Sequence, residues 1–199
     1  MVDIAIIDSG GANIASLLYA LRRQGTTATL TTDANIISAA DRIILPGVGA
    51  ARDAMTRLRD RELLDVIRHL TQPVLGICLG MQLLAAASEE DDVECLGIIP
   101  GTAKKLAVDT SCPVPNMGWC ALRKTRDHDI LTGLDDGAYF YFLHSFALPI
   151  SDYTIADANH VEPFSAVVSH KNFTAAQFHP ERSSVAGARL LQNFLGLQK

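Results

Sequence analysis

Two short segments hold residue types that can cleave a carbonyl-derived bond by covalent catalysis. In Gly76-Ile77-Cys78-Leu79-Gly80 a cysteine stands between two glycines, after the apolar run 74–77 and before a further apolar stretch. A strand, a sharp turn and a helix are the context in which a nucleophile is presented at the tip of an elbow. The glycines are required because side chains at such a turn collide with neighbouring elements. A thiol at a helix N-terminus has its thiolate favoured by the helix dipole and by free N–H groups. The nearest of those donors to a developing oxyanion is the Leu79 N–H. The alternative is a buried cysteine in a glycine-rich turn, but that does not account for both glycines and both flanking elements being in place.

A thiol nucleophile requires a base and a group that orients the base. Of six histidines, His69 falls in a helical stretch, His128 in a polar loop, and His160 and His170 at turns. His179 ends the apolar run 173–178 and is followed by Pro180 and Glu181. On an extended segment residues i and i+2 share a side, so His179 and Glu181 are expected to face the same way. Pro180 is expected to keep that segment extended. Glu181 then holds one ring nitrogen while the other faces the thiol. Alone, the segment reads equally well as a surface turn at a strand end; beside the Cys78 elbow it reads as base and orienter.

The elements that must position these groups are legible as an alternation. Ile4–Ile7 is a buried strand, followed by a helix that Asn13 can cap and that carries Ile14, Leu17, Leu18 and Leu21 on its apolar face. Further strands are expected at 26–32, 42–45 and 74–77, with a helical stretch carrying Ala54, Leu58, Leu63, Leu64, Ile67 and Leu70 and another helix at 81–87. The second half reads as strands at 98–106, 119–123, 138–148, 153–158, 165–169 and 173–178, the last two joined as a hairpin at Lys171-Asn172. A closing helix spans 184–195 with Ser184 as its cap. Alternating strands and helices imply a sheet covered on both faces: an α/β three-layer sandwich with a mostly parallel, mixed central sheet, formed as a single domain over residues 1–199.

Composition narrows the function classes. The 199 residues are 48% hydrophobic and 20% charged, a globular balance, with a net charge of −5. No Lys/Arg block is present, which argues against a nucleic-acid partner; Arg57, Arg59 and Arg61 alternate with Leu58, Asp60 and Glu62 as on a solvated helix face. No apolar run reaches membrane-spanning length, and Met1 to Asp8 lacks the basic start of a signal peptide. The four cysteines, Cys78, Cys95, Cys112 and Cys120, form no CxxC pair and fit no zinc spacing. A reduced, cytoplasmic protein without a metal is expected.

Gly76 to Gln82 and Gln177 to Glu181 resemble the two signature segments of class I glutamine amidotransferases, whose triad of Cys, His and Glu in this chain order matches Cys78, His179 and Glu181. The likeness implies that family's flavodoxin-like fold. Pro46-Gly47-Val48-Gly49 is similar to the family's oxyanion strand, and by that likeness the peptide at Val48 supplies a second oxyanion donor beside Leu79. Residue by residue, the resemblance also implies that Gly47, Gln82, Glu90, His144 and Ser145 bind glutamine, with Gln82 and Glu90 on its backbone groups and His144 and Ser145 near its carboxylate. A zwitterion calls for such a mixture of an acid and donors. Read from composition alone, Glu90 belongs to a solvated acidic loop at residues 88–92.

Segments 8–13, 46–49, 114–119, 141–145 and 179–183 together resemble, within that family, the glutaminase subunits of imidazole glycerol phosphate synthases. That likeness implies a cyclase partner with a (β/α)₈ barrel, histidine biosynthesis as the pathway, and no metal or organic cofactor. Trp119, Tyr141 and Arg182 are the candidates for the partner-facing surface; core packing is an equal reading for Trp119 and Tyr141. The chain departs from the pattern at Asn116, where His is usual, at Cys120, where Asn is frequent, and at Ser9, Ala12 and Ala175. Three other readings stand beside this one. They are a glutaminase serving another synthase, such as that of vitamin B6 synthesis, a γ-glutamyl or peptide hydrolase acting alone, and a binding module that has kept the fold.

Overall fold

The computed structural model describes residues 2–10, 14–110 and 112–197. The expected cap Asn13, together with Gly11 and Ala12, lies outside the described residues. The chain runs β1 (Ile4–Ile7), α1 (Ile14–Arg23), β2 (Thr29–Thr31), α2 (Ala34–Ala39), β3 (Arg42–Gly47), α3 (Ala51–Asp60), α4 (Leu63–Arg68), β4 (Val74–Cys78) and α5 (Leu79–Leu84). It continues through β5 (Ala85–Ser88), β6 (Val93–Glu94), β7 (Ile99–Lys105), β8 (Asn116–Ala121), β9 (Arg123–Lys124), β10 (Tyr139–His144) and β11 (Phe146–Ala147). It closes with β12 (Thr154–Asn159), β13 (Pro163–His170), β14 (Phe173–Ala176) and α6 (Ser184–Gly196).

Eight strands form the central sheet in the order β2-β1-β3-β4-β14-β13-β12-β9. The neighbours from β2 to β14 pair in parallel, and those from β14 to β9 are antiparallel. Successive side chains of β1 enter opposite cores, as the period of a strand requires. Ile4 and Ile6 pack with Leu17 and Leu21 of α1 and Leu190, Leu191 and Phe194 of α6. Ala5 and Ile7 pack with Ile37, Leu58, Ile67 and Leu83 of α2 to α5. The sheet is therefore the middle of three layers. Two small sheets lie beside it, β10-β8 and β11-β7-β5-β6.

Several expected boundaries give way to tertiary structure. The helix expected at 81–87 ends at Leu84, and the alanines after it form β5 alongside β7, with Ala85 opposite Ile99. Alanine's helix propensity is worth a few tenths of a kcal/mol against most residues and yields to a ladder of inter-strand hydrogen bonds. The strand expected at 26–32 shortens to β2, and 138–148 divides into β10 and β11. The long helical stretch is split at Glu62, whose φ of 58° breaks α3 from α4. Helix α2 was not expected; Asp33 caps it by accepting from the N–H groups of Asn35 and Ile36. Ser184 is the first residue of α6 with φ 52°, rather than its cap.

The elbow is built by close approach. A Cβ on Gly80 would lie 1.8 Å from the Leu45 carbonyl oxygen of β3, and one on Gly76 would lie 2.9 Å from the Ala175 Cβ of β14. A methyl group at position 80 would drive β3 and α5 apart. Gly80→Ala is therefore expected to destabilise the protein by about 3 kcal/mol or more. Gly196→Ala, where nothing lies within 4 Å, is the matched control and is expected to be near neutral. Urea unfolding midpoints of the two variants check this.

Candidate active site

Three adjacent strands of the sheet end together and deliver the site. Strand β4 ends at Cys78, β3 runs beside it with Gly47 opposite Cys78, and β14 on the other side leads through Gln177 and Phe178 to His179. The oxyanion-strand candidate and the histidine therefore flank the cysteine from opposite sides. Cys78 has φ 54° and ψ −111°, a conformation L-residues rarely adopt, and the residues after it begin α5. Its Sγ donates to the Leu143 carbonyl of β10 at 3.6 Å.

His179 is buried, and its backbone is stitched to β10. Its N–H donates to the Tyr141 carbonyl at 2.9 Å, while the Ser183 hydroxyl donates to its carbonyl at 2.7 Å and accepts from the Tyr141 N–H at 2.9 Å. Just before it, the Phe178 ring stacks on Phe140 with centroids 4.1 Å apart. The ring Nδ1 lies 2.9 Å from Glu181 Oε1. The contact expected from the sequence is present, but the backbone that makes it is not extended: residues Pro180–Arg182 form a 3₁₀ turn. Proline is equally suited to the first position of a helical turn, where no N–H is needed. The turn brings the carboxylate back under the imidazole. Burial opposes the charged ring, but hydrogen bonds to Cys78 and to Glu181, and the charges on both, outweigh it and push His179 up to about 10.

A cavity of about 350 Å³ opens over Cys78, lined among others by Val48, Leu79, Gln82, Glu90, Ser145 and His179. Gln82 is buried, and both its N–H donors are spent, on the Phe146 carbonyl at 2.8 Å and on Gln177 Oε1 at 3.1 Å. Glu90 does not belong to the solvent-facing loop its neighbours suggest. Its carboxylate reaches the first turn of α3 and accepts from the Ala51 N–H at 2.9 Å, which supplies the capping contact that the Ala50 side chain cannot make.

His144 lines the cavity, yet its imidazole is committed elsewhere. Nδ1 donates to the Phe146 carbonyl at 2.9 Å, and Nε2 faces the Asn116 amide at 3.1 Å. Burial lowers its pKa to about 4, so the ring is neutral at pH 7 and Nε2 accepts from Asn116. Two departures from the family pattern thus touch each other, and one of them, Asn116, touches His144: Cys120 Sγ donates to Asn116 Oδ1 at 3.6 Å. Gly47 is not among the cavity-lining residues; a Cβ there would meet the Leu79 Cβ at 2.9 Å, so its place is in the close packing behind the elbow. The flanking Gly49 has φ +94° with open space around it. No three His, Cys, Asp or Glu side chains among the described residues gather as metal ligands.

Core packing, the alternative reading for Trp119 and Tyr141, is not what the structure shows, since neither is buried. Met117, Trp119, Tyr139 and Leu143 are exposed, and strand register puts Tyr141 opposite Trp119 and Leu143 opposite Met117 on one face of the β8-β10 ribbon. Trp119 is 51% exposed and meets the Tyr141 ring edge-on at 6.1 Å. The Arg182 guanidinium lies over the same Tyr141 ring at 4.7 Å. Phe140 and Phe142, which alternate with these residues, are fully buried on the other side of the ribbon.

The model of the glutamine amidotransferase class-I family matches residues 5–197, and the chain belongs to that family. It is a glutamine amidotransferase enzyme. It is 46% identical to imidazole glycerol phosphate synthase subunit HisH of Vibrio cholerae, over 98% of each chain. It is 49% identical to the protein of that name in Salmonella typhimurium, over 98% of this chain and 99% of the relative. Among solved structures it resembles a glutamine amidotransferase with a TM-score of 0.75, at 18% identity and 97% coverage of both chains. It also resembles one from Thermotoga maritima with a TM-score of 0.65 at 16% identity, over 90% of this chain and 76% of that one. These structures share the fold.

The elevated His179 pKa depends on both of its partners. In imidazole nitrogen NMR the His179 ring is expected to stay cationic far above pH 6.5. Cys78→Ala removes the first of the two supports and leaves desolvation, so the titration midpoint is expected to fall by at least ~1 unit. Glu181→Gln is expected to lower it less. An unchanged midpoint in Cys78→Ala would mean that the ring does not pair with the thiol.

Proposed function

We propose that this chain is the glutaminase subunit of imidazole glycerol phosphate synthase, hydrolysing glutamine to glutamate and ammonia with Cys78, His179 and Glu181 and passing the ammonia to a cyclase subunit. The observation that carries the reading is the buried His179 held between Glu181 and Cys78 at the mouth of a strained elbow. The full-length likeness to subunits of that name supports the particular synthase. Residues 1–199 then serve as one amidotransferase domain, working in the cytoplasm.

In this mechanism the Cys78 thiolate attacks the side-chain amide carbon of glutamine, and the N–H groups of Leu79 and Val48 receive the oxyanion. His179, made cationic by the thiol proton, gives that proton to the departing ammonia and leaves a glutamyl thioester on Cys78. Water then attacks the thioester, His179 takes its proton, and glutamate leaves. Glu181 orients the ring and stabilises its cation throughout. Glu90 offers a carboxylate for the substrate ammonium, and Gln82 offers its amide oxygen, since both its N–H groups are engaged inside the protein. Near His144 the groups available to the substrate carboxylate are backbone and Ser145, because the imidazole is turned onto Asn116 and Phe146. These steps use side chains, backbone and water of the enzyme alone.

The apolar face of the β8-β10 ribbon, with Arg182 at its edge, is the surface we assign to the (β/α)₈ cyclase. It adjoins the cavity through Leu143, whose carbonyl meets Cys78. Exposed aromatic side chains of this kind are the usual anchors of an interface. A single set of variants tests both halves of the reading. Cys78→Ala is expected to abolish glutamine-dependent synthesis by the reconstituted complex while ammonia-dependent synthesis survives. Trp119→Ala is expected to weaken assembly with the cyclase by roughly tenfold or more. Loss of both activities in an intact Cys78→Ala complex would refute the division of labour, and undiminished assembly of Trp119→Ala would remove Trp119 from the interface.

A further inference from the structure

Gln177 is the polar residue at the centre of the site that none of these steps uses. It lies between β14 and His179, on the segment that brings the base to the nucleophile, and is fully buried. A buried carboxamide is costly unless its donors and acceptors are matched. Both ends of this one point into the site. Its Oε1 accepts from Gln82 Nε2 at 3.1 Å, and its Nε2 donates to Cys78 Sγ at 3.8 Å. Gln82 in turn is anchored on the Phe146 carbonyl. A single relay therefore runs from Phe146 through Gln82 and Gln177 to the sulfur. Its direction is fixed, because Gln82 can only donate to the Phe146 carbonyl, which obliges Gln177 to accept from Gln82 and leaves its N–H for the sulfur.

We infer that Gln177 is a positioning residue for the nucleophile: its amide N–H stabilises and aims the Cys78 thiolate. Its oxygen fixes Gln82 at the same time. The inference rests on the reading of Cys78 as nucleophile. The thiol is otherwise held by the Leu143 carbonyl, which can accept from the neutral thiol but offers nothing to the thiolate. Once the thiol proton has moved to His179, the Gln177 N–H is a second donor, independent of the imidazole, that keeps the sulfur pointed at the cavity. Hydrogen bonds to ionised groups are stronger than those between neutral ones, so this contact favours the thiolate over the thiol.

Two substitutions separate the two ends. Gln177→Met removes both, whereas Gln177→Glu keeps an oxygen for Gln82 and, when ionised, turns the donor at the sulfur into a repelling charge. The full-length chain is alkylated with iodoacetamide across a pH series, and adducts on each cysteine are resolved by peptide mass. Cys95 is buried and its thiol is pushed up to about 11, so its protection reports that the molecule remains folded. In folded Gln177→Met the half-maximal pH for Cys78 alkylation is expected to move upward, with kcat for glutamine hydrolysis reduced about tenfold. In Gln177→Glu the upward movement is expected to be larger, while KM changes less than in Gln177→Met because the contact to Gln82 survives. A wild-type alkylation profile at Cys78 in both folded variants overturns the inference, even if KM rises, since Gln177 would then serve only to hold Gln82. If instead Cys78 of the wild-type chain can be fully alkylated without loss of glutamine hydrolysis, it is the reading of Cys78 as nucleophile that fails.

Discussion

The site depends on one strained backbone position. Cys78 adopts a positive φ that L-residues avoid, at a cost on the order of 1–3 kcal/mol, and something must hold it there. The restraint is steric closeness: with hydrogen in place of a side chain at Gly47, Gly76 and Gly80, strands β3 and β14 and helix α5 close around the turn to distances that no Cβ would allow. Parallel pairing on both sides of β4 locks the register, with Gly47 opposite Cys78 and Ala176 opposite Ile77. The turn cannot relax without parting three hydrogen-bonded strands and two hydrophobic cores. What the strain secures is presentation, with a sulfur that is nearly buried yet faces a cavity between the ends of two neighbouring strands.

The same strand ends explain why the chemistry assembles from distant parts of the chain. Residues 48 and 49 leave β3 on one side of the cysteine, and His179 leaves β14 on the other. The antiparallel half of the sheet then supplies the clamp. Strand β10 holds the His179 backbone through Tyr141 and meets the thiol through Leu143, and its alternate residues turn outward into an apolar face. Period-two alternation on this ribbon thus ties the base, the nucleophile and the outer surface to the register of one strand. Glu90 makes a comparable link on the opposite side, since the carboxylate that lines the cavity also caps the helix following the oxyanion-strand candidate.

The cysteine elbow was legible in the sequence because it obeys local rules: Gly-x-Cys-x-Gly between two apolar segments has few other uses. His179 and Glu181 were legible as partners, yet through the wrong geometry, because proline permits both an extended segment and the first position of a 3₁₀ turn. What was not legible is non-local. The Ala85 to Ala87 run satisfies helix propensity, and only the presence of β7 makes it a strand. Asp33 before Ala34-Asn35-Ile36 carries a capping signal for α2, but at six residues the helix offers too little periodicity to be read. The imidazole of His144 is neutral because it is buried, and the Asn116 amide that it faces stands 28 positions away. Gln177 stood in a signature segment, but its role between Gln82 and Cys78 exists only once β14 lies beside β4.

The central claim is that Cys78, and no other thiol of this chain, attacks the side chain of glutamine. A diazoketone of glutamine's shape, which traps an attacking thiolate as a stable thioether, measures this directly when followed by peptide mass. The account predicts one label per chain, on Cys78, with glutaminase activity lost in proportion and both effects suppressed by excess glutamine. Loss of activity with the label on Cys95, Cys112 or Cys120, or continued glutamine hydrolysis by chains fully labelled at Cys78, would contradict it.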